Sequence, residues 1–471
     1  MLTQAVLPTV DAEAVPADHG SALQGRLVNR VKSLATLLGL TALAPLCFVV
    51  VGFSWVATLG KRLGRAISAE DRKKRPTVLI TGGKMTKALE LSRCFNAAGW
   101  RVVLCETPKY WLTGHRYSRA VDRFQLTPEL HDPAYGKGLA QIARDESADL
   151  FVPVCSPASS RIEAIAAKEL PDTCRVMHVD ADQIDLLDDK YQLAKAAAAV
   201  DLPAPKSFRI TNAGQVDHDD LRNERRRYLL KSIRYDALRR LDLTRLPMAT
   251  AAATREFVRS LPISTDNPWV LQEFIEGEEY CTHSTIRDGR VLVHICCRSS
   301  DFQINYEHVE VPEIEEWVRD FASAYNLTGQ VSFDFIRAND DGRYYAIECN
   351  PRTHSAITAF HSQRAAVANA YASDRESVAT LKPSAAARPT FWLYHELGRL
   401  LTSVLSPSQF IERVRVLVSG KDAIFAWSDP LPFLMVHHWQ IPLLLAKDVA
   451  EGRGWVRLDF NIGKLVQAAG D

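Results

Sequence analysis

Apolar positions along this chain fall into blocks whose period changes from one region to the next. "TVLIT" (77–81), "RVVLC" (101–105), "DLFVPV" (149–154) and "RVMHV" (175–179) are short continuous apolar runs, the pattern of strands buried on both faces. Between the first two, Ala88, Leu89, Leu91, Cys94 and Phe95 form a helical stripe. Strand and helix alternating in this way predict a doubly wound parallel sheet, a Rossmann-like α/β domain over 76–182. Ligands of such sheets sit at the carboxyl ends of the strands. From 183 to 380 the pattern shifts to helices with longer alternating strands, an α+β domain. Residues 390–471 read as a mostly helical extension rich in Trp and His, without a catalytic pattern. Residues 1–36 carry little pattern and are expected to be disordered. The stretches 66–76 and 382–389 read as linkers.

Residues 37–60 contain no charge and predict a hydrophobic helix long enough to span a bilayer. Arg26, Arg30 and Lys32 precede it, and Lys61, Arg62 and Arg65 follow. Basic residues on both sides leave its orientation open. A helix on the membrane surface, or docked on protein, fits the same residues. The formal net charge of +1 argues against a nucleic-acid partner. The nine cysteines form no CxxC pair and sit mostly in apolar runs, which suits a reducing cytosol.

The chemistry concentrates in "YYAIECNPRTHS" (344–355), where Glu348 and Asn350 lie two apart in an apolar run. Period-2 geometry turns both to one face. A three-residue loop at Asp340, Asp341 and Gly342 would set Asp334 of "VSFDFIRAN" opposite Glu348. Two facing carboxylates repel unless a cation lies between them, and with Asn350 they make an all-oxygen set of the kind Mg²⁺ or Mn²⁺ takes. A hairpin with a solvated polar face is the alternative. A helix is expected to begin at the Asp188-Asp189 pair and end at Leu202-Pro203, with Lys190 in its first turn, where a cation opposes the helix dipole unless an anion is near. Lys231 closes the apolar run "YLL" and is costly there without an anion. In "WVLQEFIEGEEYCTHS" (269–284), Gln272 and the backbone at Phe274 and Ile275 have the donors and acceptors to read a purine, and Glu279 can hold ribose hydroxyls.

Taken in order, Lys190, Lys231, Gln272 to Glu279, Asp334, Glu348 and Asn350 resemble the ATP-grasp superfamily over roughly residues 76–380. The resemblance implies an ATP-grasp fold with a Rossmann-like lead domain. It also implies ATP held by Lys190, Lys231, Gln272, Phe274, Ile275 and Glu279, and two Mg²⁺ ions (Mn²⁺ can substitute) on Asp334, Glu348 and Asn350. Arg352 resembles the arginine that some members turn on the transferred phosphate or the substrate. The text after Lys231, "KSIRYDALRRLDLTRLP", lacks the family's glycine-rich lid, and Arg234 is the first candidate to replace it.

More narrowly, "TGGKMTKALELSR" (81–93), "ETPKYWLTGHRYSRAVDRF" (106–124), "ECNPRTHSA" (348–356) and "LDFNIGKLVQAAGD" (458–471) resemble the family of mycosporine-glycine synthases. That resemblance implies a cytoplasmic ligase that joins glycine to 4-deoxygadusol through a phosphorylated enol, releasing ADP and phosphate. A carboxylate–amine ligase working through an acyl phosphate would use the same nucleotide residues. A nucleotide-binding regulatory protein without turnover is a third reading. The acceptor is expected at the lead domain's strand ends, near Gly82, Gly83, Lys84, Glu106, Lys109, Tyr110, Arg116, Ser156 and Ser159. Arg352 or His354 is the candidate for the glycine carboxylate. Membrane association through 37–60 is expected at the cytoplasmic face, and the oligomeric state is open, a dimer included.

Overall fold

The computed structural model describes residues 19–58, 75–223, 226–233, 239, 242–299, 305–373 and 379–467. A long helix, α1 (His19–Ala57), comes first. The lead domain follows: β1 (Thr77–Ile80), α2 (Thr86–Ala97), β2 (Arg101–Glu106), β3 (Arg123–Leu126), α3 (Tyr135–Asp145), β4 (Leu150–Val152), α4 (Ser160–Ala167) and β5 (Arg175–Val176). Its sheet has the order β3-β2-β1-β4-β5 and every pairing is parallel. The central strands are buried on both faces, as continuous apolar runs require. Two residues past β1 stands Gly82, whose φ is +69°. A Cβ there would stand 2.0 Å from the Val154 carbonyl oxygen, so only glycine lets the ends of β1 and the segment after β4 meet.

The helix expected from the Asp pair is α6 (Lys190–Ala198), and a further helix, α5 (Ala181–Asp188), runs up to the pair. Asp189 breaks them apart. Its backbone is extended and its carboxylate accepts from the amides of Tyr191 (2.8 Å) and Gln192 (3.2 Å). This N-cap fixes Lys190 as the first helical residue. β6 (Ser207–Ile210), β7 (Tyr228–Ser232) and β8 (Trp269–Glu273) form a small antiparallel sheet in the order β6-β8-β7. β9 (Gly277–Arg287) and β10 (Arg290–Arg298) follow, then the short β11 (Asn305–Tyr306), α7 (Pro312–Ala324), β12 (Gly329–Ala338) and β13 (Tyr344–Asn350). The larger antiparallel sheet has the order β10-β9-β12-β13. α7 backs it: Trp317 stacks on Phe321 at 5.0 Å and meets Phe333 and Phe335 edge-on. α8 (Arg364–Ala372) ties this domain to the lead domain, Arg364 gripping Glu90 of α2 with two nitrogens at 2.6 and 2.8 Å.

The C-terminal extension holds β14 (Thr390–Phe391), α9 (Leu393–Thr402), α10 (Pro407–Ser419), β15 (Lys421–Asp422), α11 (Ile441–Glu451), β16 (Arg457–Asp459) and β17 (Lys464–Val466). Its Ile424, Phe433, Val436, Ile441 and Leu445 share one core with α1 and the lead-domain helix α2. The stretch 382–389 is no free linker: Lys382 pairs with Glu310 (3.0 Å) and Glu315 (2.9 Å), and Arg388 caps the Ser419 carbonyl at 2.7 Å. Residues 1–18 and 59–74 lie outside the described residues, and with them most of the 66–76 stretch. Residues 19–36, expected to be disordered, form the first half of α1. Their order comes from contacts more than 400 positions away, such as Lys32 with Trp455, which no local pattern records.

Candidate active site

β12 and β13 pair Asp334 with Glu348 and Ser332 with Asn350, so the two carboxylates face each other across adjacent strands. The route to that pairing differs from the expected loop. Ala338 bonds Arg343 at 2.9 Å across a four-residue turn, Asn339–Gly342, with Gly342 at φ +71°. An irregularity between Asp334 and Phe335 restores the register, leaving Ile347 as an extra residue on β13. The bulge is pinned from the small sheet: the Gln272 amide donates to the Ile347 carbonyl at 3.0 Å.

The two carboxylates titrate apart. Burial and then the Glu348 charge raise the Asp334 pKa well above the usual range. The Lys190 ammonium, 3.1 Å from Glu348, holds that carboxylate far below its usual value against burial, and Lys231 adds to the effect. Asp334 Oδ1 is buried with no hydrogen-bond partner among the described residues. A buried carboxylate oxygen without a partner, a second carboxylate opposite and an amide oxygen two residues on fit a hard divalent cation. A cation on Glu348 would release Lys190 to a phosphate. Burial is the largest influence and opposes the Lys190 charge, but Glu348, Asp188 and Asp334 together outweigh it and raise its pKa. At Lys231, on β7, burial wins and the pKa falls, with Glu348 acting the other way. Lys190, on α6, thus pairs with Glu348, while Lys231, on β7, acts on the same carboxylates through its charge.

The segment Gln272–Ile275, expected as a nucleotide hinge, is partly committed to the fold. Gln272 spends a donor on Ile347, and the Phe274 amide bonds the Arg227 carbonyl at 2.7 Å. That leaves the Ile275 amide as the hinge's donor, while the Arg245 guanidinium lies 4.2 Å from the Phe274 ring centre. Glu279 opens β9, its pKa raised by burial and then by Glu348. Arg234 and the lid around it lie outside the described residues. Arg352 reaches back to the Asn350 side-chain oxygen and approaches Asp188 at 3.9 Å. His354 caps the turn Ser355–Phe360, and burial lowers its pKa to about 3. Its imidazole is neutral, so it offers a carboxylate a hydrogen bond and no charge.

At the lead-domain strand ends, Gly82, Lys84, Glu106, Ser156 and Ser159 line one small cavity. Glu106 accepts the Lys84 amide at 2.9 Å, and the Lys84 ammonium sits 4.1 Å from the Tyr110 ring centre. The Gly83 amide is bonded to the Cys105 carbonyl at 3.0 Å. Arg116 does not join the cavity lining: it donates to the Trp111 carbonyl at 2.6 Å and covers Phe124.

Four residues here escaped the sequence reading. Glu163 is buried in the cavity wall against the Thr81 hydroxyl, and burial raises its pKa to about 7. Lys87 is buried between the domains, donating to the carbonyls of Thr353 (2.6 Å) and Cys155 (3.3 Å). Asn461, in the turn between β16 and β17, accepts the Thr86 amide on its carbonyl at 2.8 Å and the Ser355 hydroxyl on its side chain at 2.8 Å. Lys464 follows it, and burial, then Lys84 and Lys109, bring its pKa to about 8. Glu163 stands at the helical spacing of an ordinary surface position, and the other three depend on contacts between distant segments.

No protein-family model matches the chain, and no curated protein does. Solved structures do. N5-carboxyaminoimidazole synthetase from Staphylococcus aureus superposes with a TM-score of 0.51 at 12% identity, over 70% of this chain and 86% of that one. The biotin carboxylase domain of a single-chain bacterial carboxylase gives 0.48 at 16% identity, over 66% and 72%. L-amino acid ligase from Bacillus licheniformis gives 0.46 at 15%, over 63% and 74%. The parallel lead sheet, the two antiparallel sheets and the first of these superpositions together establish that the chain has the ATP-grasp fold, extended by an N-terminal apolar helix and a helical C-terminal region.

Proposed function

We propose that this protein is an ATP-dependent ligase that forms a carbon–nitrogen bond and releases ADP and phosphate. The observation that carries this reading is the pairing of Asp334 with Glu348, with the Lys190 ammonium 3.1 Å from Glu348. In this reading Ile275 and Glu279 hold the adenosine, Gln272 and Phe274 shape the hinge, and Lys190 and Lys231 neutralise the phosphates. Asp334, Glu348 and Asn350 would hold Mg²⁺, two ions as in the resembled superfamily, which when bound spread the charge of a transferring phosphoryl group. Arg352, and Arg234 from the lid, would meet that group from the acceptor side.

The acceptor that the sequence resemblance favours is 4-deoxygadusol, with glycine as the amine. Its enol is conjugated to a ketone, so the enolate oxygen behaves as a vinylogous carboxylate. That oxygen attacks the γ-phosphorus of ATP, and the bond to the β–γ bridging oxygen breaks to give ADP. The glycine amine then adds to the phosphorylated carbon and phosphate leaves, giving mycosporine-glycine. The chain's part is positioning and charge neutralisation. The acceptor would lie in the cavity of Gly82, Lys84, Glu106, Ser156 and Ser159, with Tyr110 under Lys84. The catalytic domains would be cytoplasmic, where ATP is, and associated with the membrane through α1.

Purified protein supplied with ATP, Mg²⁺, glycine and 4-deoxygadusol should form ADP and the ultraviolet-absorbing product together. Phosphate made from acceptor labelled with ¹⁸O at the enol oxygen should carry the label. AMP formation would overturn the ligase reading. ADP formed only with other acceptors would overturn the substrate and keep the ligase.

A further inference from the structure

Helix α1 has an inner face fixed to protein and an outer face fixed to nothing among the described residues. Inward, Leu40, Cys47 and Val51 are buried in the core shared with Ile441 and Leu445 of α11. The helix is fastened near both ends. Toward its start, the Lys32 ammonium donates to the carbonyls of Trp455 (2.7 Å) and Val456 (2.8 Å), and the Trp455 indole donates to Ser33 at 2.8 Å. Toward its end, Ser54 donates to the Trp427 carbonyl at 2.7 Å, and Arg119 reaches the Thr58 hydroxyl at 2.6 Å. Between Lys32 and Ser54 lies roughly 33 Å of helix at the α-helical rise.

Outward, Val31, Leu38, Leu46, Val49, Phe53 and Val56 are exposed along one side. The segments packed against α1 add exposed Trp427, Trp439 and Leu443. An apolar face of this extent is far larger than a soluble monomer ordinarily shows to water. No charged residue occurs from Ser33 to Gly60, and no acidic one from His19 to Ala69, while Arg26, Arg30 and Lys32 precede the run and Lys61, Arg62 and Arg65 follow it. The apolar span Leu27–Ala57 has 31 residues, about 46 Å of helix against a hydrocarbon core of about 30 Å.

We propose that α1 does not cross the bilayer but lies in its plane, inner face on the protein and outer face in the acyl boundary of an anionic leaflet. This deepens the membrane association proposed above and rests on it. A crossing helix would have to send one basic cluster through the membrane and leave the other behind. It would also drag the Trp455 and Trp427 segments, fastened roughly a bilayer thickness apart, to opposite sides, with the body of the protein between them in hydrocarbon. In the plane, neither basic cluster has to cross the membrane, and every fastening stays intact. The outer side chains then replace water with acyl chains, as in other monotopic helices.

The full-length protein should float with vesicles of phosphatidylcholine and phosphatidylglycerol, and at least tenfold less with phosphatidylcholine alone. The double variant L38D/V49D should lose at least tenfold in vesicle binding and keep its ATP turnover, since both side chains are exposed. Single cysteines at Arg26→Cys and Lys61→Cys should both react with a membrane-impermeant maleimide on intact vesicles; the nine native cysteines are buried. Labelling of one end only would overturn the in-plane placement and keep the membrane association. Failure to float, or a tight dimer that dissociates in the double variant, would overturn the association itself and give the face to a second copy of the chain.

Discussion

Asp334 and Glu348 show how two identical functional groups acquire different properties from their neighbours. Glu348 has a lysine at 3.1 Å and stays ionised; Asp334 has none so near and is pushed toward its protonated form. Glu348→Gln removes the charge that organises Lys190 and Lys231, and turnover should fall by 10³-fold or more, about 4 kcal/mol of transition-state stabilisation. Circular dichroism should remain that of the parent. Near-parental kcat would remove the carboxylate pair from the chemistry. Glu163 gives a second residue-level test, of stability. Burial raises its pKa from 4.5 to about 7, so folding strengthens its hold on a proton. The associated stabilisation is full below the unfolded pKa and is lost as pH rises through about 7, a span of about 3 kcal/mol. Glu163→Gln cannot titrate, so the difference in Tm between parent and variant should change across that window and level off above it. A pH-independent difference would mean that folding leaves the Glu163 pKa unshifted.

The hairpin β12–β13 is the element that was most readable in advance, because side-chain period and turn chemistry both act over a few residues. Asp334, Glu348 and Asn350 stand at even spacings within their strands, and Gly342 supplies the left-handed position of the turn. The bulge at Ile347 was not readable. It is held by Gln272 from another sheet, 75 positions away, and one inserted residue leaves the even spacing of Glu348 and Asn350 unchanged. The helix break at Asp189 had a local signal, a capping Asp, that the neighbouring Asp188 made ambiguous. Gln272 thus has a role in the element besides any contact with adenine. Gln272→Met keeps the volume and deletes the donor to Ile347, leaving a buried carbonyl short of a partner. The nucleotide-free variant should lose about 1–3 kcal/mol of stability, seen as a lower Tm. An unchanged Tm without nucleotide, with a raised KM for ATP, would return Gln272 to a purely ligand-binding role.

At the scale of the whole molecule, the lead domain, the grasp domain and the C-terminal extension meet at one place, the loop from Gly82 to Thr86. Lys87 joins it to the Thr353 carbonyl beside Arg352, and Asn461 bonds Thr86 on one side and Ser355 on the other. The Lys87–Thr353 contact spans 266 positions and the Asn461–Ser355 contact 106, so no local pattern in the extension records them. Gly463 is where the extension meets this loop most tightly. Its φ is +62°, and a Cβ on it would stand 2.4 Å from the Lys84 carbonyl oxygen, a backbone atom that cannot swing aside. Gln440 holds its other flank, donating to the Gly463 carbonyl at 2.7 Å and accepting the Gly114 amide at 2.7 Å. Gly463→Ala must therefore push the β16–β17 turn off the loop, carrying Asn461 and Lys464 with it. The residues proposed to hold the nucleotide lie on α6, β7, β8, β9 and the segment between β8 and β9, none of which touches the turn through a described hydrogen bond. The expected result is a rise in KM for the acceptor of about tenfold or more, the scale of a small displacement in a positioning contact. The affinity for ATP, read by calorimetry, should stay within about twofold of the parent, since a loss of less than 0.5 kcal/mol is normal at a distant site. Equal losses for acceptor and ATP would mean that the turn supports the whole fold and not the acceptor site in particular, and an unchanged acceptor KM would take the C-terminal extension out of substrate binding.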